Sequence, residues 1–168
     1  TPTRSSAASD VYKRQVLAPC RMDDSEELRI HHERLLTQLA DACRRTRHEF
    51  LLEIITARPD KPAAPDQIHA LMKRFYELGI FPDWWKLEPV PEAEFWRRCG
   101  DIVRVNDPHL QGIIVLGKEA EPDVLASVFE NAKSEPLVKG FAVGRTIFAG
   151  AAQDWLNGRI DDDTAVAN

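Results

Sequence analysis

A lysine inside an apolar run stands out in the segment Pro82-Asp83-Trp84-Trp85-Lys86-Leu87-Glu88-Pro89. A charged amine loses hydration in such a run, and burial favours its neutral, nucleophilic form. A neutral lysine can attack a carbonyl and form an imine. Strand alternation puts Trp84, Lys86 and Glu88 on one face, with Trp85 and Leu87 on the other. A second ionisable group, Glu53, sits inside Phe50-Leu51-Leu52-Glu53-Ile54-Ile55. If the two runs are neighbouring parallel strands, Glu53 lies beside Lys86 as an acid/base partner for a lysine nucleophile. A structural ion pair is the competing expectation.

A third feature is Gly140-Phe141-Ala142-Val143-Gly144-Arg145-Thr146-Ile147-Phe148, which reads as a strand, a glycine and a helix start. Gly144 lets a backbone approach a ligand, the following helix offers free N–H groups to an anion, and Arg145 adds a charged fork. Gly117 and Lys118 end the preceding run and belong on the companion loop. Arg21, Asp23 and Asp24 follow the first apolar run, where Arg21 can meet a substrate anion and Asp24 can cap a helix. His31, His32 and His48 form no metal-ligand spacing, and no dinucleotide, P-loop or serine-nucleophile motif occurs. No metal is therefore expected.

These residues require a scaffold that alternates short buried strands with helices. Apolar runs occur at Val16–Cys20, Phe50–Ile55, Trp84–Glu88, Gly112–Gly117 and Gly140–Gly144. Helical spacing lies between them. Asp24 and Glu27 suggest a capping box, followed by a face of Leu28, Leu35, Leu39 and Cys43. Ile68, Leu71, Met72 and Phe75 form the next face, with Gly79 as its terminator. Phe95, Trp96, Cys99, Ile102 and Val103 form the third. Pro122 opens a fourth helix carrying Val124, Leu125, Val128 and Phe129. The fifth carries Ile147, Phe148, Ala151, Trp155 and Leu156 before Gly158, and one more helix starts near Asp161.

Such alternation implies an α/β fold with parallel strands. One arrangement is a complete doubly wound five-stranded sheet, which the length of 168 residues favours. The other, which the chemistry favours, is the C-terminal five βα units of a TIM (β/α)8-type barrel, a fold of about 250 residues when whole. The polar, aperiodic segment at 1–15 resembles a translated adapter leader and is expected to be disordered and not native, leaving 16–168 as a partial barrel domain. Open strand edges would make such a piece prone to self-association as a homo-oligomer.

Composition narrows the partners. The formal net charge of -5 and the absence of a basic stripe argue against nucleic acid. No apolar run reaches membrane-spanning length, and no secretory leader is visible, so the cytoplasm is the expected compartment. The three cysteines, Cys20, Cys43 and Cys99, are widely spaced and read as buried thiols.

PDWWKLEP, LLEII and GFAVGRTIF together resemble the class I aldolase-like domain at the C-terminus of bifunctional 5-dehydro-2-deoxygluconokinases, which is similar to tagatose-bisphosphate aldolases. The resemblance covers nearly everything from Val16 onward. It implies a (β/α) barrel in which Lys86 is the Schiff-base lysine of the sixth strand and Glu53 the acidic residue of the fifth. It also implies that Gly144 and Arg145 form the phosphate-binding turn. The implied reaction cleaves 5-dehydro-2-deoxygluconate 6-phosphate to dihydroxyacetone phosphate and malonate semialdehyde in inositol breakdown. A protonated imine is itself the electron sink, so no cofactor is implied. The chain departs from the family in lacking the first three strands and the sugar-kinase domain normally fused ahead. Gln15 also stands where related aldolases carry a lysine. A non-catalytic domain that binds a phosphorylated metabolite beside a kinase is the alternative.

Overall fold

The computed structural model describes residues 15–117 and 122–167 of the protein. Their order is β1 (Gln15–Pro19), α1 (Glu26–Thr46), β2 (Leu51–Ile55), α2 (Pro65–Glu77), β3 (Trp84–Leu87), α3 (Ala93–Asn106), β4 (Gly112–Leu116), α4 (Pro122–Ala132), β5 (Val138–Ala142), α5 (Arg145–Leu156) and α6 (Asp162–Ala167). The five strands are all parallel and lie in the order β1-β2-β3-β4-β5. Each helix therefore returns the chain to the next strand without a reversal of strand order.

The strands bury one parity of side chains beneath the helices. Ala18, Leu52, Ile54, Trp85, Leu87, Ile113 and Val115 form a single core with Leu36 and Ala40 of α1, Ile68, Met72 and Phe75 of α2, Trp96 and Cys99 of α3, and Val128 of α4. The four helices α1–α4 thus cover the same face of the sheet. A doubly wound sheet needs a switch in strand order and helices that alternate between faces, whereas among the described residues the strand order never switches and α1–α4 share one face. The architecture is that of consecutive βα units of a TIM-type barrel, with the other strand face left for a site. Among the described residues the sheet is open, with β1 and β5 at its edges.

Two buried indoles anchor the core with satisfied N–H groups. Trp85 Nε1 donates to Tyr76 Oη at 2.7 Å, and Trp96 Nε1 donates to the Val90 carbonyl at 2.8 Å. At the N-terminal side of the sheet, Asp83 accepts from Phe50 N at 2.7 Å, which fixes the start of β2 against that of β3. The register that results pairs Glu53 with Lys86.

Several helix details differ from the sequence expectation. α1 is capped by Ser25, whose hydroxyl accepts from Leu28 N at 3.3 Å. Asp24 is instead taken up by Arg21 N and the Arg58 guanidinium. The buried face of α1 is Leu36, Ala40 and Cys43, whereas Leu28 and Leu35 are exposed. Val124 of α4 is exposed while Leu125 and Val128 are buried. In α5, Trp155 and Leu156 are exposed, and Trp155 Nε1 donates to Asp162 at the start of α6. The side chains of Ile147 and Phe148 lie outside the described residues. The expected ends hold at Gly79 and Gly158, which take φ values of 74° and 67°. β1 begins at Gln15, within the segment read as a leader, and residues 1–14 of that segment lie outside the description.

Candidate active site

Starting from the pairing register, one row of residues crosses the sheet on the face opposite α1–α4: Leu17, Glu53, Lys86, Ile114 and Gly140. Lys86 and Glu53 meet at its centre, with Nζ 3.0 Å from Oε2. Both are buried, at 7% and 3% exposure, so the pair is held in a low-dielectric setting rather than in bulk water. Isolation of either charge there would be costly, which is why the two strands must present them in register. Gln15 completes the group. Its Nε2 donates to Glu53 Oε2, and its Oε1 accepts from Lys86 Nζ at 3.4 Å. The pair can pass a proton across one contact, and the amine lies on the face opposite helices α1–α4.

Glu88, the last of the residues expected on this face, is wholly buried. Its carboxylate accepts from Thr56 N at 2.8 Å, Thr56 Oγ1 at 2.5 Å and Ala57 N at 3.3 Å. Arg21 is buried too, and donates to the Thr56 carbonyl at 2.9 Å, to the Pro62 carbonyl at 3.4 Å and to Asp23 at 2.7 Å. The Arg21 hydrogen bond holds the Asp23 carboxyl down at about 2, and Asp23 in turn raises the Arg21 guanidinium. Arg21, Thr56 and Glu88 thus form one connected set beside the Lys86–Glu53 pair.

Gly117 and Gly144 come together at the ends of β4 and β5. Gly117 N donates to the Ala142 carbonyl at 2.9 Å, and a Cβ on Gly117 would lie 3.0 Å from Val143 Cγ2. Gly117 is buried, and a side chain there would need Val143 to give by a few tenths of an ångström. Gly144 is exposed and stands at the N-cap of α5 without a side-chain cap, which leaves the first amides of that helix for another acceptor. Lys118 and the Arg145 side chain lie outside the described residues.

Sequence reasoning placed Glu53 and Lys86 side by side but did not single out Thr56 or use Gln15. Thr56 directly follows the β2 run, and a hydroxyl at that strand end was the available signal. Gln15 falls at the end of the segment that composition reads as a leader, although the family resemblance puts it at a position where related aldolases carry a lysine. The three thiols are buried, and burial pushes Cys20 up to about 12 and Cys99 up as well. Among the described residues there is no cluster of three or more potential metal ligands, and no helix is long and apolar enough to cross a membrane.

The profile of one family matches residues 9–168, which is nearly the whole chain. The chain belongs to the DUF2090 family. That family is described as an uncharacterized protein conserved in bacteria. No curated protein matches the sequence. Among solved structures, this DUF2090 chain is similar to a Schiff base forming fructose-1,6-bisphosphate aldolase studied through its reaction intermediates. The TM-score is 0.50 at 15% identity, over 70% of this chain and 46% of that one. The chain therefore spans just under half the length of the aldolase. At that identity the likeness is one of fold: the DUF2090 chain has an aldolase-like arrangement of parallel βα units.

Proposed function

We propose that this DUF2090 domain is a class I aldolase-type lyase in which Lys86 forms the Schiff base and Glu53 moves the protons. The observation that carries the reading is the buried contact of 3.0 Å between Lys86 and Glu53 on the sheet face opposite α1–α4. The substrate we assign is 5-dehydro-2-deoxygluconate 6-phosphate. Lys86 Nζ adds to the keto carbon and water leaves, which gives a protonated imine. Glu53 takes the proton of the hydroxyl two carbons from the imine carbon. The intervening carbon–carbon bond breaks, its electron pair moves into the imine to form an enamine, and malonate semialdehyde departs. Protonation of the enamine and hydrolysis release dihydroxyacetone phosphate and restore the amine.

The substrate phosphate is assigned to the loops of Gly117 and Gly144, with Arg145 as its cation. Close packing at Gly117 and the uncapped start of α5 support that assignment. Arg21 builds the opposite wall; Glu88, expected on the substrate face, meets Thr56 and Ala57 and acts through their loop without touching substrate. In this reading residues 16–168 are an aldolase-like domain that works in the cytoplasm on inositol breakdown, attached to a sugar-kinase domain. Strands supplied by the rest of the barrel, or by another copy, cover the edges at β1 and β5.

Reductive trapping tests the reading. The protein is incubated with dihydroxyacetone phosphate, reduced with borohydride and digested for mass spectrometry. The expected result is an adduct on the peptide carrying Lys86, absent from Lys86→Met. A folded protein that binds dihydroxyacetone phosphate without forming the adduct would overturn the lyase assignment, leaving a domain that only binds a phosphorylated metabolite.

A further inference from the structure

Glu88 sits two residues beyond Lys86, and its carboxylate accepts three hydrogen bonds from the segment at 56–64 that joins β2 to α2. The segment has no apolar anchor of its own: Arg58, Pro59, Asp60, Lys61 and Pro62 are exposed or half-buried. Its two ends are gathered at one point. Thr56 donates both N–H and Oγ1–H to Glu88, and the same hydroxyl accepts from Ala64 N at 3.0 Å. Inside it, Arg58 and Lys61 close a small antiparallel bridge, with N···O distances of 2.8 and 3.1 Å. Outside it, Arg58 meets the buried Asp24 carboxylate at 2.5 Å, while Lys61 meets Asp23 at 3.4 Å in an exposed pair that contributes little. Buried Arg21 also holds the segment through the Thr56 and Pro62 carbonyls. Glu88 is the one group that takes three of its donors, Thr56 N, Thr56 Oγ1 and Ala57 N, which would otherwise lose their acceptor.

We infer that Glu88 is a positioning residue: it latches the 56–64 loop over the strand ends next to Lys86, and thereby sets how tightly an anionic substrate is held. The inference rests on Lys86 being the imine-forming residue. The latch acts on the loop and not on the amine, so the two can be separated by measurement. Glu88→Gln keeps the size of the side chain but turns an amide donor toward Thr56 or Ala57, which are donors themselves. Thr56→Val removes the hydroxyl link from the other side.

The experiment follows amide exchange by mass spectrometry alongside the dose dependence of borohydride trapping with dihydroxyacetone phosphate. In both variants, exchange across Ala57–Ala64 is expected to rise about tenfold while β2 and β3 stay protected, as for a local opening. The concentration for half-maximal trapping should rise by about the same factor, with the saturating yield on Lys86 kept. Unchanged exchange and half-saturation in both variants would overturn the latch, as would a lost saturating yield at unchanged half-saturation. If Glu88→Gln unfolds, Thr56→Val decides alone. If the unaltered protein gives no adduct, the imine assignment fails, while loop exchange still decides whether the latch exists.

Discussion

Removing one member of the Lys86–Glu53 pair should harm the fold far more than removing both. The contact is 3.0 Å with side-chain exposures of 9% and 4%, so neither charge can turn to water when its partner is lost. Glu53→Leu strands the ammonium and Lys86→Met strands the carboxylate. Each should cost about 3–5 kcal/mol, the usual penalty for an orphaned buried charge. The double variant replaces the pair with apolar groups of similar volume and should recover most of that loss. In a chain of this size each single variant should lower Tm by roughly 6–20 °C. Urea unfolding of the four proteins at neutral pH closes the cycle, and a coupling of about 2 kcal/mol or more is expected. Gln15 touches both groups and softens each single loss, which sets the lower end of the range. Single variants within about 0.5 kcal/mol of the parent, or strictly additive effects, would refute the reasoning, because they would mean that the pair is hydrated.

Two further outcomes concern the scaffold. His69 is buried on α2, its Nε2 meets the Phe95 carbonyl at 3.1 Å, and its Nδ1 has no hydrogen-bond partner among the described residues. Burial lowers its pKa in the folded protein, so the unfolded chain binds the extra proton. Stability is complete above the unfolded value of about 6.5 and falls as the pH drops from there toward the depressed folded value. His69→Phe should flatten that slope in urea melts between about pH 5 and 7, and an unchanged slope would assign it to other groups. Gly79→Ala should cost about 1–2 kcal/mol, because φ is 74° with open space around the missing Cβ, so the penalty is conformational and not steric. Arg47, at φ 57° in the equivalent turn after α1, should gain about 1 kcal/mol on replacement by glycine. Thermal melts that move neither protein in the stated direction would remove the left-handed turns from the account.

The alternation of short apolar runs with amphipathic stretches was legible in the sequence, and it put Glu53 beside Lys86. That pairing held on one condition, that β2 and β3 are neighbours, and the unswitched strand order meets it, so residues at the same height in the two runs face each other. Gly79 was legible too, because only a positive φ ends α2 there and its N–H and that of Ile80 return to Tyr76 and Phe75. The tertiary structure decided the rest. Leu28 and Leu36 are equally apolar, but the approach of α1 to Ala18 and Leu52 buries only the second. Asp24 and Ser25 are both good caps, and Asp24 is taken by Arg58, which is 34 residues away. Glu88 reads as one more carboxylate on the face of Lys86 until Thr56 and Ala57, from another strand end, converge on it. Periodicity reports which side of an element is apolar, since it repeats every two or 3.6 residues. It is silent on which of several equivalent polar groups a distant segment will reach, because that choice belongs to contacts between elements.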